Sequence, residues 1–375
     1  MSTDPRSRAW MEVDASALRE NLGTIRASVG PQPGLVPMVK ADAYGVGMAA
    51  AARVLSAEGI WGLGVATVSE GCALRDLGNA VPVVVFSPAP PGEVESAVEA
   101  GLVLTVSHAD TLERLTALAR AGMEAEFHLE VDTGMGRAGF DWREAAVWGP
   151  QAARAHAAGA RWTGCFTHLH SADEDPSTVD EQWRRFQEAL AALSLPGEGM
   201  RIHALNSAGA FCRPEYAGDL VRPGIFLYGG RSGAEAPTPR RVASVRARVV
   251  HLKNARPGDT VGYGATHTAS GSERWATVSI GYGDGLPRNL SNRGWALVRG
   301  RRVPIVGRIS MDVTVVDITD VEAVEAGDVV TFIGRDGEAE ITVDEVAELA
   351  GTISYEILTG FTARIPRVWE NVHES

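Results

Sequence analysis

The segment Leu35-Val-Pro-Met-Val-Lys40 is the first of eight short apolar runs in the N-terminal part of the chain. Ala- and Leu-rich stretches with helical periodicity, such as residues 110–121 and 178–193, lie between the runs. The other runs are residues 62–67, 81–87, 103–107, 125–132, 164–170, 201–207 and 219–225. Strands that alternate with helices pair in parallel through right-handed crossovers. Eight such units within ~190 residues predict an α/β protein with an N-terminal (β/α)8 TIM barrel.

The pattern changes near residue 235, where residues 233–239 form a linker rich in Pro and Ala. Apolar runs that alternate in part follow it, separated by Pro, Gly and Asp turn signals. These runs are residues 242–252, 275–280, 296–309, 313–318 and 328–333, and residues 343–350 look like one short helix. We therefore expect a barrel over residues 12–235 and a mainly β domain over residues 236–375, with residues 1–11 as a candidate to pack on the β domain.

The bulk composition is that of a globular protein, with 375 residues, 45% hydrophobic residues and a formal net charge of −12. An acidic balance argues against a nucleic-acid partner. No apolar run approaches the ~20 residues of a membrane helix, and no signal peptide is visible. Cys72, Cys165 and Cys212 form neither a metal-ligand pattern nor a disulfide framework. We expect a soluble cytoplasmic protein without a membrane segment or a metal site.

Lysine is almost absent from the chain, since Lys40 and Lys253 are the only two among 35 basic residues. Arginine supplies charge equally well but cannot form an imine, so a chemistry that needs an amine has two candidates. Lys40 follows the first predicted strand, and TIM barrels carry their chemistry at the C-terminal ends of the strands. Other polar residues predicted near the same rim are Arg137, His168, Asn206, Ser207 and Arg222.

A phosphate site is expected at the end of the barrel, because such sites are commonly built from the loops after strands 7 and 8. Ser207 follows strand 7, and Gly224-Ile225 follows strand 8. A hydroxyl group and accessible backbone N–H groups suit a phosphate. Lys40 lies next to strand 8 if the barrel closes. A phosphate site beside a lone lysine predicts pyridoxal phosphate (PLP) as cofactor.

A competing motif is Gly134-Met-Gly-Arg-Ala-Gly139, which fits the dinucleotide-binding pattern and follows a strand. That pattern also requires an acidic residue about 20 positions later and the first strand of a βαβ unit. Ala-Ala-Gly-Ala-Arg161 contains no acid, and the strand is the fifth. We therefore do not interpret the motif as a nucleotide site.

The segment Val39-Lys40-Ala-Asp-Ala-Tyr44-Gly closely resembles the alanine racemases, and the likeness runs through most of the chain. It continues in motifs that occur in the family's order, and this number of matches is highly specific. They are Val131-Asp-Thr-Gly-Met-Gly-Arg137, Thr167-His168, His203-Ala-Leu-Asn-Ser207, Val221-Arg-Pro-Gly-Ile-Phe-Leu-Tyr-Gly229, Gly262-Tyr-Gly-Ala-Thr266, Ile280-Gly-Tyr-Gly-Asp-Gly285, Pro304-Ile-Val-Gly-Arg-Ile-Ser-Met-Asp312 and Ser354-Tyr-Glu356.

The resemblance implies a PLP-dependent racemase that interconverts L-alanine and D-alanine. Lys40 would carry the cofactor and act as one base, and Tyr263 of the partner subunit in a homodimer would be the other. Racemisation needs two bases on opposite faces, because one removes a proton and the other returns one. His168 and Arg222 would tune Tyr263, whose unperturbed pKa is ~10. D-Alanine for peptidoglycan is implied by the family alone.

The resemblance also implies roles for the remaining site residues. Arg222 would face the pyridine nitrogen and keep it unprotonated, and our hypothesis is that this suppresses transamination. Residues implied to bind the cofactor are Tyr44, His168, Asn206, Ser207, Gly224, Ile225 and Tyr355. Residues implied to bind the substrate or line the entrance are Arg137, Met311 and Tyr282, with Glu130 and Asp312 in support.

The chain departs from the family pattern at Glu130, where many relatives have a lysine that becomes carbamylated and orients the arginine matching Arg137. Our hypothesis is that the Glu130 carboxylate replaces the charge of the carbamate. Asp42 and Val46 stand where Asn and His are frequent, and Ser310 replaces a residue that is often Cys. These differences bear on substrate preference more than on the reaction class.

Three alternatives remain at this point. One is a racemase of broader or different specificity, such as for serine. A second is a related barrel decarboxylase or aldolase, but no cysteine lies beyond Cys212, and His251, His267 and His373 are too scattered for a metal cluster. The third is a non-catalytic PLP-binding protein, against which the second domain and Tyr263 argue.

Overall fold

The computed structural model describes residues 4–197 and 199–372, which form a parallel barrel and a mainly antiparallel β domain. Residues 1–3 of the predicted N-terminal segment and His373 lie outside the described residues. The chain begins with β1 (Ala9–Asp14), and the strands that follow it in the first part are β2 (Gly34–Leu35), β3 (Leu63–Val65), β4 (Val83–Val85), β5 (Val103–Val106), β6 (Glu126–Asp132), β7 (Phe140–Asp141), β8 (Arg161–Phe166), β9 (Arg201–His203) and β10 (Leu220–Val221).

Parallel pairing joins β3, β4, β5, β6, β8 and β9 in that order, and a separate parallel pair joins β10 to β2. Backbone hydrogen bonds close the ring on both sides of this pair. Gly64 N–H donates to Pro37 O at 2.9 Å, and Arg222 N–H donates to Leu205 O at 2.9 Å. Each of the eight predicted apolar runs overlaps one barrel strand, and the predicted fold class is confirmed.

Two of the helices between the strands, α1 and α4, begin at residues whose side chains cap them. Asp14 accepts hydrogen bonds from Ser16 N and Ala17 N at the start of α1, and Thr67 with Glu70 forms a capping box at the start of α4. The helices are α1 (Ala15–Val29), α2 (Lys40–Tyr44), α3 (Met48–Ser56), α4 (Val68–Asp76), α5 (Val94–Glu99), α6 (Ala109–Arg120), α7 (Ala145–Ala157), α8 (Ser177–Ala191) and α9 (Gly209–Cys212). Lys40 was expected to end the first strand, but it begins α2 instead.

The second part is organised around the long strand β11 (Ala243–Ala255), which pairs with β1, β14 and β18. The strands after β11 are β12 (Thr260–Val261), β13 (His267–Thr268), β14 (Glu273–Val278), β15 (Trp295–Val298), β16 (Arg301–Pro304), β17 (Thr314–Asp317), β18 (Val329–Asp336), β19 (Ala339–Ile341) and β20 (Arg367–Glu370). The helices are α10 (Val343–Ala350), at the predicted residues, and α11 (Ser354–Gly360).

One predicted run of the second part is wrong in detail. Residues 296–309 read as a single apolar run, but the structure divides them into the hairpin β15–β16. Arg299 and Gly300 form the two-residue turn, with φ of 49° and 76°. Positive φ at both positions is the geometry that hairpins prefer, but the usual sequence signal is Asn-Gly or Asp-Gly.

The N-terminal strand lies in the sheet of the second part. Strand β1 pairs antiparallel with β11 and parallel with β20, and Met11 and Val13 are fully buried there. The chain therefore passes through the β sheet before it enters the barrel. The domain boundaries that we inferred from the sequence stay a prediction. In the described part of the chain, every helix is too short or too polar to cross a bilayer.

Gly45 lies against the backbone of α11, and we expect Gly45→Ala to destabilise the protein. Its φ of 83° costs an L-residue about 1–2 kcal/mol, and an added Cβ would collide with the carbonyl oxygen of Leu358. The control is Gly23→Ala in α1, where an added Cβ meets nothing within 4 Å. Removing a mid-helix glycine there should stabilise by about 0.5–1 kcal/mol. Thermal unfolding followed by circular dichroism should place the two midpoints on opposite sides of the parent, and an unchanged midpoint for Gly45→Ala would contradict the assignment.

Candidate active site

A cavity of about 250 Å³ opens at the C-terminal ends of the barrel strands. It contains a single lysine, Lys40, because the second lysine of the chain, Lys253, lies on β11. Most of the predicted site residues meet in this cavity. They are Lys40, Tyr44, Glu130, Arg137, His168, Asn206, Ser207, Arg222, Gly224, Ile225 and Tyr355.

Four predicted site residues do not reach this cavity within one chain. Tyr263, Tyr282, Met311 and Asp312 lie on the β domain, and the exposed fraction of Tyr263 is 70%. Tyr282 N–H donates to Ser310 O at 3.0 Å and Gly283 N–H donates to Met311 O at 2.8 Å. The turn that carries Tyr282 and the loop that carries Met311 are therefore one structural unit. The roles implied for these residues stay predictions.

Lys40 and Tyr44 enter the cavity from the two ends of a left-handed helical turn. Ala41, Asp42, Ala43 and Tyr44 all have φ between 52° and 55°. Each non-glycine residue in this conformation costs roughly 1–2 kcal/mol, and such residues normally occur singly. Strain of this kind persists where the surroundings hold the backbone, and it concentrates at functional sites. The turn sets where the lysine leaves the backbone.

The amine of Lys40 is tuned by burial and by the charges around it. Burial lowers the pKa of Lys40, and the positive charges of Arg137 and Arg222 lower it further, while the carboxylate of Glu70 acts in the opposite direction. A lysine with a lowered pKa has more of the neutral amine near neutral pH. The neutral amine is the form that acts as a nucleophile or a base.

A small cradle of donors lies at the end of the barrel, where the sequence predicts a phosphate site. Gly224 N–H donates to Ser207 Oγ at 2.7 Å, and a Cβ at Gly224 would collide with the hydroxyl of Tyr44. Only glycine therefore lets the backbone, the serine and the tyrosine converge. The ring of Tyr44 is stacked on Tyr228, with 4.7 Å between the ring centroids. The geometry fits a phosphate group.

Arg222 is buried in the barrel, and three of the five N–H donors of its guanidinium are hydrogen-bonded to the protein. Its Nη1 donates to His203 Nδ1 at 2.7 Å, and its Nη2 donates to Thr167 O at 2.8 Å and Ala204 O at 2.9 Å. The guanidinium also lies 5.2 Å from the ring centroid of Phe166. Burial lowers the pKa of Arg222 to about 10, which leaves the group protonated at neutral pH.

Two histidines extend this network, and sequence reasoning missed both as functional residues. Since arginine only donates, His203 Nδ1 must accept, and a neutral His203 then donates from Nε2 to His128 Nδ1 at 3.0 Å. Burial and the charge of Arg222 lower the pKa of His128 to about 3 and that of His203 well below its ordinary value. Both rings are therefore neutral, with their protons on Nε2. His128 lies two residues before Glu130 on the same side of β6, which is the signal that could have identified it.

Glu130 does not form an ion pair with Arg137. Ser107 Oγ donates to Glu130 Oε2 at 2.7 Å, and within residues 4–197 and 199–372 no oxygen of Glu130 lies within 4.0 Å of the Arg137 guanidinium. Burial raises the pKa of Glu130, while Ser107 and the charges of Arg137 and Arg222 lower it. Glu130 and Arg137 are coupled through space, and the proposed replacement of the carbamate stays a prediction.

His168 also faces the cavity as a neutral ring. Burial lowers its pKa to about 3, and the positive charges of Arg222, Arg137 and Lys40 add to this effect. Gln182 Nε2 donates to the backbone oxygen of His168 at 3.0 Å and fixes the end of β8. Gly209 N–H, at the first residue of α9, donates to Asn206 Oδ1 at 2.9 Å and so holds the Asn206 side chain.

The comparison with known families decides the classification of the chain. The family model described as the alanine racemase N-terminal domain matches residues 13–232, and the model of the alanine racemase C-terminal domain matches residues 242–369. The chain belongs to the alanine racemase family. The resemblance seen in the sequence motifs is therefore confirmed.

Individual alanine racemases are similar to the chain over its full length. The alanine racemase of Halothermothrix orenii is 37% identical over 368 residues, which are 96% of this chain and 97% of that protein. The structure of alanine racemase from Streptomyces coelicolor A3(2) superposes with a TM-score of 0.91 at 36% identity, covering 99% of this chain and 100% of that one. The structure of alanine racemase from Bartonella henselae, with covalently bound pyridoxal phosphate, gives a TM-score of 0.88 at 30% identity, covering 97% and 99%.

Glu130 generates a pH-dependent prediction for stability. A carboxyl group whose folded pKa is raised contributes stability below its ordinary pKa and loses it as pH rises through the folded value. Glu130→Gln should therefore gain stability relative to the parent as pH increases from 5 to 8. Urea unfolding of the cofactor-free full-length protein at several pH values measures this difference.

Glu126→Gln on the same strand is the control, because Glu126 pairs with Arg161 at 3.1 Å and should show no gain. A parent–variant difference that does not change with pH would rule out the buried charge.

Proposed function

We propose that the protein is a PLP-dependent alanine racemase, an isomerase that interconverts L-alanine and D-alanine. The observation that carries the proposal is the cavity that joins Lys40 to the cradle of Ser207, Gly224 and Tyr44. This cavity belongs to a chain that matches both alanine racemase domains along its length. An amine and a phosphate cradle in one cavity are what PLP requires from a protein.

PLP, when joined to Lys40, would supply an electron sink that acidifies the α-proton of the bound amino acid. Its phosphate would lie in the cradle formed by Tyr44, Ser207, Gly224, Ile225 and Tyr355. Arg222 would face the pyridine nitrogen. Because a protonated arginine can only donate there, it would leave this nitrogen unprotonated.

The chain's own side chains then have separate tasks. The amine of Lys40, with its lowered pKa, accepts or returns a proton on one face of the substrate. The guanidinium of Arg137 has no hydrogen bond or ion pair within residues 4–197 and 199–372, and it faces the cavity beside Lys40. It is therefore available for the carboxylate of the substrate. His168 stays neutral, so it does not place a further positive charge beside Lys40.

The second base would be Tyr263 of the partner subunit in a homodimer. Within one chain, Tyr263 is exposed and lies outside the cavity of Lys40, as do Tyr282 and Met311. A two-fold symmetric dimer would offer each of these residues to the other chain's cavity. Met311 N–H would then assist at the substrate carboxylate, and Asp312, which pairs with Arg364 at 2.7 Å, would hold that loop. We place the enzyme in the cytoplasm, where its D-alanine would supply peptidoglycan synthesis.

The direct test is racemisation by the purified enzyme. L-Alanine and, separately, L-serine are added in D2O, and optical rotation and α-deuterium incorporation are followed. We expect L-alanine to lose rotation and exchange its α-proton, and Lys40→Ala to lower the rate by about 10³-fold or more. Faster turnover of L-serine would assign a different racemase specificity. Cofactor absorption without exchange from either substrate would instead assign a non-catalytic PLP-binding protein.

The shared site is tested by mixing two inactive variants. Lys40→Ala and Tyr263→Phe should each be inactive as pure dimers, because each lacks one base. After random subunit exchange, half of the dimers combine the two variants, and one of their two sites has both bases, so about one quarter of the parent activity should return. Mixing Lys40→Ala with Lys40→Arg is the control and should recover nothing. No recovery from the first mixture would place both bases in one chain.

A further inference from the structure

The left-handed turn after Lys40 needs an anchor, because four consecutive L-residues hold a conformation that each disfavours. The C-terminal end of the turn is held by its own contacts. Gly45 packs against Leu358 of α11, and Met48 N–H donates to Asp42 Oδ1 at 2.7 Å. These contacts hold residues two and five positions after the lysine. Within the turn, the carbonyl of Ala41 accepts from Gly45 N–H at 2.9 Å, but the N–H of Ala41 requires an acceptor from elsewhere.

The N-terminal end of the turn is held by Glu70 of α4. Its Oε1 accepts a hydrogen bond from Ala41 N–H at 2.7 Å, and its Oε2 accepts from Ala66 N–H at 2.8 Å and Thr67 N–H at 3.1 Å. Both carboxylate oxygens are therefore in use. One oxygen holds the backbone next to Lys40, and the other holds the chain between β3 and α4.

Glu70 is itself fixed by the start of its helix. Its backbone N–H donates to Thr67 Oγ1 at 3.2 Å, which completes the capping box at the start of α4. A capping-box glutamate normally reaches back to the N-cap backbone alone. Here the same carboxylate also accepts a hydrogen bond from Ala41 N–H in the preceding strand–helix unit. The position of Ala41 is thus tied to a rigid helix end instead of a loop.

The charge of Glu70 also acts on the lysine. The electrostatic influences on Lys40 are burial, the two arginines Arg137 and Arg222, and the opposing carboxylate of Glu70. Glutamine could not replace this group, because its NH2 would face backbone N–H donors on one side and its charge would be lost. Aspartate would keep the charge but is one methylene too short to reach both sets of donors.

We propose that Glu70 is a positioning residue of the reaction, which tethers the strained turn to α4 and thereby places the amine of Lys40 in the cavity. The tether itself is a property of the backbone and holds whatever the substrate is. Its effect on turnover rests on the racemase function proposed above.

The scarcity of lysine allows a direct measurement. In the full-length protein freed of cofactor, reductive methylation would report on Lys40 and Lys253, resolved as separate peptides by mass spectrometry. Lys253, on the distant strand β11 and paired with Asp259 at 3.3 Å, is an internal reference. In Glu70→Gln we expect the pH midpoint of Lys40 labelling to fall by about half a unit or more, since one stabilising negative charge is lost. The midpoint of Lys253 should not move.

Amide hydrogen exchange of the same variants reports on the tether. The peptide that contains residues 40–45 should exchange about tenfold faster or more in both Glu70→Gln and Glu70→Asp. Glu70→Asp keeps the negative charge, so its Lys40 labelling midpoint should stay close to the parent. Glu113→Gln, at an exposed acid on α6, is the matched control and should change neither measurement.

Unchanged exchange of residues 40–45 in both Glu70 variants would overturn the proposal, as would an unchanged labelling profile of Lys40 in Glu70→Gln. In the cofactor-loaded enzyme, we expect Glu70→Gln to lower kcat by about tenfold with a smaller change in KM, because the amine and not the substrate site is displaced. The parent could show no racemase activity while the exchange and labelling results are as expected. That outcome would support the tether and refute the proposed racemase function.

Discussion

The buried guanidinium of Arg222 is the interaction on which the candidate site depends. A buried charge is costly unless its hydrogen bonds are satisfied, and here the acceptors are two backbone carbonyls and one histidine. Thr167 follows β8 and Ala204 follows β9, while Arg222 itself follows β10. One side chain therefore ties together the ends of three neighbouring strands. The rim of the barrel is held in shape by the same group that faces the cavity.

Because arginine can only donate hydrogen bonds, Arg222 determines the tautomers of the histidines that follow it in the network. It fixes the tautomer of His203 and, through it, that of His128, so the protons of both rings point away from Arg222. Arg222, Arg137 and Lys40 together make the cavity strongly positive, and Glu130 is the one carboxylate that lines it in the described chain. Positive potential at this place favours anions such as a phosphate and a carboxylate. Burial lowers the pKa of His168 and keeps its ring neutral, and the positive charges around it add to this effect.

The sequence predicted the barrel well because its signal is local. Eight apolar runs separated by helical stretches specify the order and direction of the strands. Six polar residues of the cavity, and Gly224 after β10, follow from their positions near strand ends. The left-handed turn could not be predicted, because Ala-Asp-Ala-Tyr44 contains no glycine to suggest positive φ. Its cause is tertiary, namely the contacts with Glu70 and Leu358. His128 was overlooked for a different reason, since its one local signal is its position two residues before Glu130 on the same side of β6.

The sequence pattern alone could not assign a role to the site residues of the second domain. No periodicity or spacing distinguishes Tyr263 from a tyrosine of a sheet core, and only the resemblance to a family gave it a role. Its exposure removes the core interpretation, because a core tyrosine would not present 70% of its surface to solvent. A barrel rim presents its groups to a substrate from one side, whereas inversion at carbon requires proton transfer on two opposite sides. If the second base belongs to the partner chain, as proposed, each cavity is complete only in the dimer. Dissociation would then remove activity by mass action, without any change in the fold of either chain.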